Sequence, residues 1–459
     1  MKTERIASLD ALRGIAIAGM LFSGLIPFGV LPGWMYHAQN PPPLHLFNPG
    51  LPGISWVDLV FPLFLFAMGA AIPLAMSAAL AGGRSRRSLA LGVAQRAFLM
   101  LVFAVYVKHI SPHVAALGAP WQTALYSLSG FLLLFPMLAG LPRAWTPALR
   151  TLVRAVGWGG AALLMFLFRA QDGSRFDYQR NDIIIVVLAN VALSGALLWL
   201  ATRRRPALRL ALLCLLLALR LAQDVPGWGQ WLWNLSPLPA LVAVAFQQYL
   251  FIVVPGLFAG ECLLRLARSP APAPSARLDV AAFVCAALVP ALLIGLFGRW
   301  WLATAAIMAP LCCALVWSLR DGAPRALARM AGCTVFLLVL GMAFEPYEGG
   351  IQKGRATLSF YFVGAGAGML MLVLLHILIE VRRYGAAFAL LTGAGHNPLA
   401  AYAGVSSLLW PVLTLSGAGA AIAALTAMPL PGILRAAAYT AALCYVAGLC
   451  ARRGFALRM

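Results

Sequence analysis

The sequence predicts an all-α, polytopic integral membrane helix bundle, and three observations carry that prediction. Of its 459 residues, 62% are hydrophobic and only 10% are charged, which is too little polar surface to coat a soluble globule. The apolar runs are long and show no period-two alternation. In lipid every backbone N–H and C=O must be satisfied internally, so such runs become helices rather than the strands of a barrel. Finally, Lys and Arg gather in short clusters between the runs, as topology signals do. A net charge of +21 would suggest nucleic acid in a soluble protein, but here it orients the chain and implies no nucleic-acid partner.

At about 20 apolar residues per span, fourteen candidate helices begin near residues 8, 56, 90, 121, 148, 182, 206, 238, 278, 300, 329, 358, 397 and 433. The expected total is about 12 to 14 transmembrane helices. With the N-terminus inside, the chain returns to that side at Arg84, Arg86 and Arg87, at Arg143 and Arg150, and at Arg203 to Arg205. Later returns bring Arg265, Arg268, Arg277, Arg320, Arg325, Arg329, Arg382, Arg383, Arg452, Arg453 and Arg458 to the same side. Both termini are therefore expected in the cytoplasm, with the chain in a bacterial inner membrane. The start MKTERIASLDALRGIAIAGMLF has the basic end of a signal peptide, but Asp10 and Arg13 interrupt its core, so it is expected to remain as the first span. The whole chain, 1–459, reads as a single transmembrane domain, and SPAPAPS marks a division into two bundles at 269–277. The eight cysteines sit in apolar segments and imply no disulfide framework.

Three outer loops are richer than connectors need. The first, about 32–55, holds six prolines, which stiffen a loop into a shaped rim or lid. The second, 169–182, alternates charge. The third, 345–357, packs Glu345, Glu348, Tyr347, Lys353 and Arg355 around Gly349 and Gly350, residue types that suit a hydroxyl-rich acceptor.

Ionisable side chains within spans are costly and so draw attention first. Asp10 and Arg13 stand one helical turn apart at the inner mouth of the first span and can pair. Asp58 opens the second span beneath the proline-rich loop, where His37 or His45 could be oriented by it and act as a base. His109 and His113 form a second outer group. Glu261 and His376 read as structural, one beside Arg265 and the other as a core imidazole. No ligand spacing within one helix joins the histidines, so no metal is expected.

The stretches SLDALRG, YHAQ, PGISWVDLVFPLFLFAMG, YLFIVVPGLFAGE, FEPYEGGIQKGRATLSFYF and GHNPLAAY, in that order, resemble the heparan-α-glucosaminide N-acetyltransferase family, and within it the bacterial DUF5009 branch. The resemblance implies transfer of an acetyl group from cytoplasmic acetyl-CoA to a glucosamine-type amino sugar or glycan across the membrane. It implies a histidine in the first outer loop, and the pair His37–Ala38 fits the family pattern better than His45. Asp58 is then the orienting carboxylate. Arg13 and Asp10 are candidates for the donor's phosphate end, and Glu345, Glu348, Lys353 and Asn397 for the acceptor. Gly24 departs from the family, whose members carry an asparagine or histidine there. Beside acetyl-CoA, acceptor and bilayer, a homodimer is among the expected partners. An amino-sugar permease is the second reading and an assembly protein the third.

Overall fold

The computed structural model describes residues 6–142, 144–270 and 272–457. Arg143 and Arg458 of the inner clusters lie outside the described residues. Thirteen helices among those described are long and apolar enough to cross a membrane. In chain order they begin with α1 (Ala7–Leu25), α2 (Trp56–Ala81), α3 (Arg86–His109), α4 (Pro120–Leu138), α5 (Pro147–Leu167) and α6 (Ile183–Thr202). The shorter α7 (Pro206–Leu221) has 16 residues. Then come α8 (Val244–Leu266), α9 (Ala276–Phe297), α10 (Trp301–Arg320) and α11 (Arg325–Tyr347). The series closes with α12 (Leu358–Val381), α13 (Pro398–Leu415) and α14 (Pro429–Arg452). The chain is a multi-pass helical membrane protein, as its composition requires.

Three elements differ from the sequence reading. The span expected from 206 is α7, whose 16 residues fall short of a crossing. The eighth helix starts at Val244 rather than near 238, because Pro237 and Pro239 lack N–H donors and hold their neighbours extended. Leu241 and Val242 instead donate back to the Leu238 carbonyl in a turn, at 3.1 and 2.8 Å. Between α12 and α13 lies a short apolar helical segment, Tyr384–Gly395, too short to register as a span. It leans on α1 so closely that a Cβ at Gly14 would sit 1.9 Å from the Leu391 carbonyl oxygen. Both ends of the described chain meet beside it. Asn397 donates to the Phe455 carbonyl at 3.3 Å and accepts from the Leu457 N–H at 3.1 Å, while His396 reaches Asp10 at 3.2 Å. The two ends therefore share one face.

The centre is built by α2, α8 and α12, and α12 is the most enclosed span. Lipid offers no hydrophobic gain for helix association, so close backbone approach through small residues carries the packing. At Gly260 an added Cβ would lie 2.2 Å from the Ala70 carbonyl oxygen, and at Gly256 one would lie 2.5 Å from that of Phe66. Gly260→Val should therefore destabilise the protein by about 1–3 kcal/mol, read as a lower thermal midpoint of the detergent-solubilised protein. An unchanged midpoint would mean that α2 and α8 do not touch through this glycine.

Candidate active site

The site starts from a helix cap. Ser55 is the N-cap of α2, its hydroxyl accepting from the Val57 N–H at 3.2 Å. Asp58, three residues on, returns a carboxylate oxygen to the Ser55 N–H at 3.0 Å, completing a capping box. That oxygen also accepts from the Ala38 N–H at 3.1 Å. The other carboxylate oxygen faces His37 Nδ1 at 2.6 Å. Asp58 is fully buried and His37 partly exposed. A buried carboxylate needs its lone pairs used, and the carboxylate is satisfied by holding the first outer loop and one imidazole in place.

The third outer loop completes the site by pairing with the first. Gly53 donates to the Ile351 carbonyl at 2.7 Å, and the Gln352 amide donates to the Gly50 carbonyl at 3.1 Å. This pairing delivers Lys353, whose Nζ lies 3.3 Å from His37 Nδ1 and 3.9 Å from Asp58. One ring nitrogen cannot both donate to Asp58 and accept from Lys353. The shorter contact decides: Nδ1 carries the proton and donates to Asp58, Lys353 contributes its charge, and Nε2 keeps its lone pair. Nε2 has no hydrogen bond among the described residues. Burial pushes the Lys353 ammonium below the usual lysine range, and the Asp58 carboxylate works against that shift.

Two of the other histidines, His45 and His109, have both ring nitrogens engaged, whereas the buried Nδ1 of His376 has no partner among the described residues. His45 Nε2 accepts from the Gly29 N–H at 2.9 Å and Nδ1 donates to the Asn40 carbonyl at 3.1 Å, with the ring edge-on to Phe28 and Tyr36. It serves as an internal strut of the proline-rich loop, with no nitrogen left for a proton. His109 likewise gives Nδ1 to the Val105 carbonyl at 2.7 Å and accepts from the Asp177 N–H at 3.4 Å. His113 lies against Trp410. Glu345 is buried against Arg299, and Glu348 caps α12 by accepting from the Leu358 and Ser359 N–H groups at 2.7 and 2.8 Å. Asp10 pairs with Arg13 at 3.1 Å and with His396, a partner the sequence reading missed although GHNPLAAY contains it. Asp10, Arg13 and Asn397 all lie at the terminal face, remote from His37. Glu261 meets Arg209 and the Trp199 indole, each at 2.9 Å, rather than Arg265. A Cβ at Gly24 would meet nothing within 4 Å.

Beside His37 opens a cavity of about 280 Å³, lined by Gln39, Asn40, Phe47, Phe61, Ile183, Ile184, Val187, Tyr249, Lys353 and Gly354. Fold and site together define a multi-pass membrane protein with an oriented His–Asp pair at the rim of a partly apolar cavity. Residues 5–263 match the family model described as a domain of unknown function, DUF5009, and the chain belongs to that family. The matched region includes His37, His45, Asp58, Asp10 and Arg13, whereas Lys353 lies beyond it. The chain is also similar to the heparan-alpha-glucosaminide N-acetyltransferase of Homo sapiens, 34% identical over 119 residues, which is 26% of this chain and 16% of that protein.

In a ¹³C NMR titration of reductively methylated protein, the Lys353 signal is expected to lose its proton below the roughly 10.4 of an ordinary lysine. Asp58→Asn should move that midpoint further down, because the one opposing charge is gone. An ordinary midpoint in the parent, or an upward move in the variant, would mean that Lys353 is not held in this site.

Proposed function

We propose that the protein is a transmembrane acetyltransferase that moves an acetyl group from cytoplasmic acetyl-CoA to a glucosamine-type amine on the opposite, periplasmic side of a bacterial inner membrane. The observation that carries the reading is the 2.6 Å contact between His37 Nδ1 and Asp58, which leaves Nε2 with a lone pair on a ring that lines the cavity. In this reading the acceptor amine gives its proton to Nε2 as its nitrogen attacks the thioester carbonyl. The N–C bond forms, the C–S bond breaks, and the departing thiolate is reprotonated to the free thiol. Asp58 positions the ring and stabilises the imidazolium, and Lys353 stands ready to hold oxyanion charge or a substrate hydroxyl. The similarity to a human N-acetyltransferase over 119 residues supports the reaction class.

In this reading charge supports a donor end at the terminal face. Arg13, Asp10 and His396 gather at the face where the chain ends meet, and the positive-inside rule supports a cytoplasmic position for that face. Glu345 and Glu348 then serve the acceptor side by shaping the loop that presents Lys353, and Asn397 serves the donor side by tying the C-terminal tail. No metal takes part in this reading.

His37→Ala should lower the turnover of labelled acetyl-CoA onto an amino sugar about a hundred- to ten-thousand-fold, with acetyl-CoA affinity within a few-fold of the parent. His45→Ala should cost far less and act through loop order. Near-normal turnover in His37→Ala would sink the proposal. Failure of the parent to bind acetyl-CoA, together with uptake of free amino sugar into liposomes, would favour a carrier.

A further inference from the structure

The cavity beside His37 is poorly suited to a free, fully hydroxylated sugar. Phe47, Phe61, Ile183, Ile184, Val187 and Tyr249 make most of its wall. The few polar groups are partly spent: the Gln39 amide already donates to the Leu51 and Gly53 carbonyls at 2.9 and 3.1 Å, and that of Asn40 to the His45 carbonyl at 3.3 Å. A ring of hydroxyls turned toward the remaining wall would lose water without gaining partners. Phe61 and Val187 lie on the second turns of α2 and α6, roughly 7 Å below the helix ends at 1.5 Å per residue, so the floor reaches membrane depth.

The wall also opens sideways. Ile183 is 54% exposed, and Phe47 at the mouth is 62% exposed. Close to Phe47 in the chain stand Leu44 and Leu46, the most exposed apolar side chains of the proline-rich loop. Phe47 therefore belongs both to the cavity wall and to the exposed apolar stretch of this loop.

We infer that the acceptor is an amine-bearing headgroup carried on a lipid, entering laterally from the outer leaflet. Its amine stands at His37 Nε2, and its chain runs along Ile183 and Phe61 and out over Phe47, Leu44 and Leu46. This rests on the acyl-transfer reading above, and the bond changes are the same. Only the amine and its nearest polar neighbours then need polar partners, and the site supplies few more than these.

The test uses full-length protein in liposomes with labelled acetyl-CoA and three acceptors: glucosamine, octyl glucosaminide and dodecyl glucosaminide. Apparent KM should fall along the series, by about a hundredfold overall. The double variant Leu44→Ser, Leu46→Ser should narrow that gap about tenfold. Equal kcat/KM for glucosamine and dodecyl glucosaminide would overturn the inference and leave acyl transfer standing. A gap that the double variant does not change reflects partition into the bilayer alone, and also overturns it. Acetylation of none of the three would remove the acyl-transfer reading and this inference with it.

Discussion

The buried carboxylate of Asp58 is the constraint on which this face of the bundle depends. A charge at zero exposure persists only where each lone pair finds a donor. Here the donors are the N–H of the N-cap Ser55, the Ala38 N–H of the incoming loop, and the imidazole of His37. Helix start, loop path and ring orientation are therefore one solution to one desolvation problem. The loop cannot shift without exposing the cap, and the ring cannot turn without leaving an oxygen unpaired.

The bilayer sets the rest. Helices that gain nothing hydrophobic from one another are held by close backbone contact at Gly69, Gly256 and Gly260 and by a few internal polar locks. One lock joins Arg209, Glu261 and Trp199 across α6, α7 and α8. Another joins the Tyr402 hydroxyl to Asp182, the N-cap of α6, at 2.6 Å. With the helices fixed, the first and third outer loops can pair edge to edge, and that pairing carries a lysine onto the His–Asp pair. Stability of the bundle and composition of the site are thus linked through loop geometry.

Much of the fold could be read from the chain. Span starts follow from apolar run length, and even the broken region near Pro237 and Pro239 is off by only a few residues. The pairing of Asp58 with the first loop was also legible, since a carboxylate that opens a span beneath a loop holding two histidines can orient one of them. What sequence could not give is long-range contact. His37 and Lys353 are separated by 316 positions, and no local pattern links them. Nor does residue type reveal how a group is spent: Glu348 and His45 look like free loop side chains, yet one is taken by the amides of α12 and the other by the backbone of its own loop. Tyr384–Gly395 escaped because a short helix packed through glycine has no run length to betray it.

The central claim is that Asp58 fixes the tautomer of His37. The chain has 6 histidines, so selective ¹⁵N-histidine labelling, with His37→Ala for assignment, gives a readable spectrum of the ring nitrogens. In the neutral ring, Nδ1 of His37 should carry the proton and Nε2 should show the shift of a bare lone pair. A proton on Nε2 in the neutral ring would contradict the account, because the imidazole would then present a donor rather than a base to the cavity.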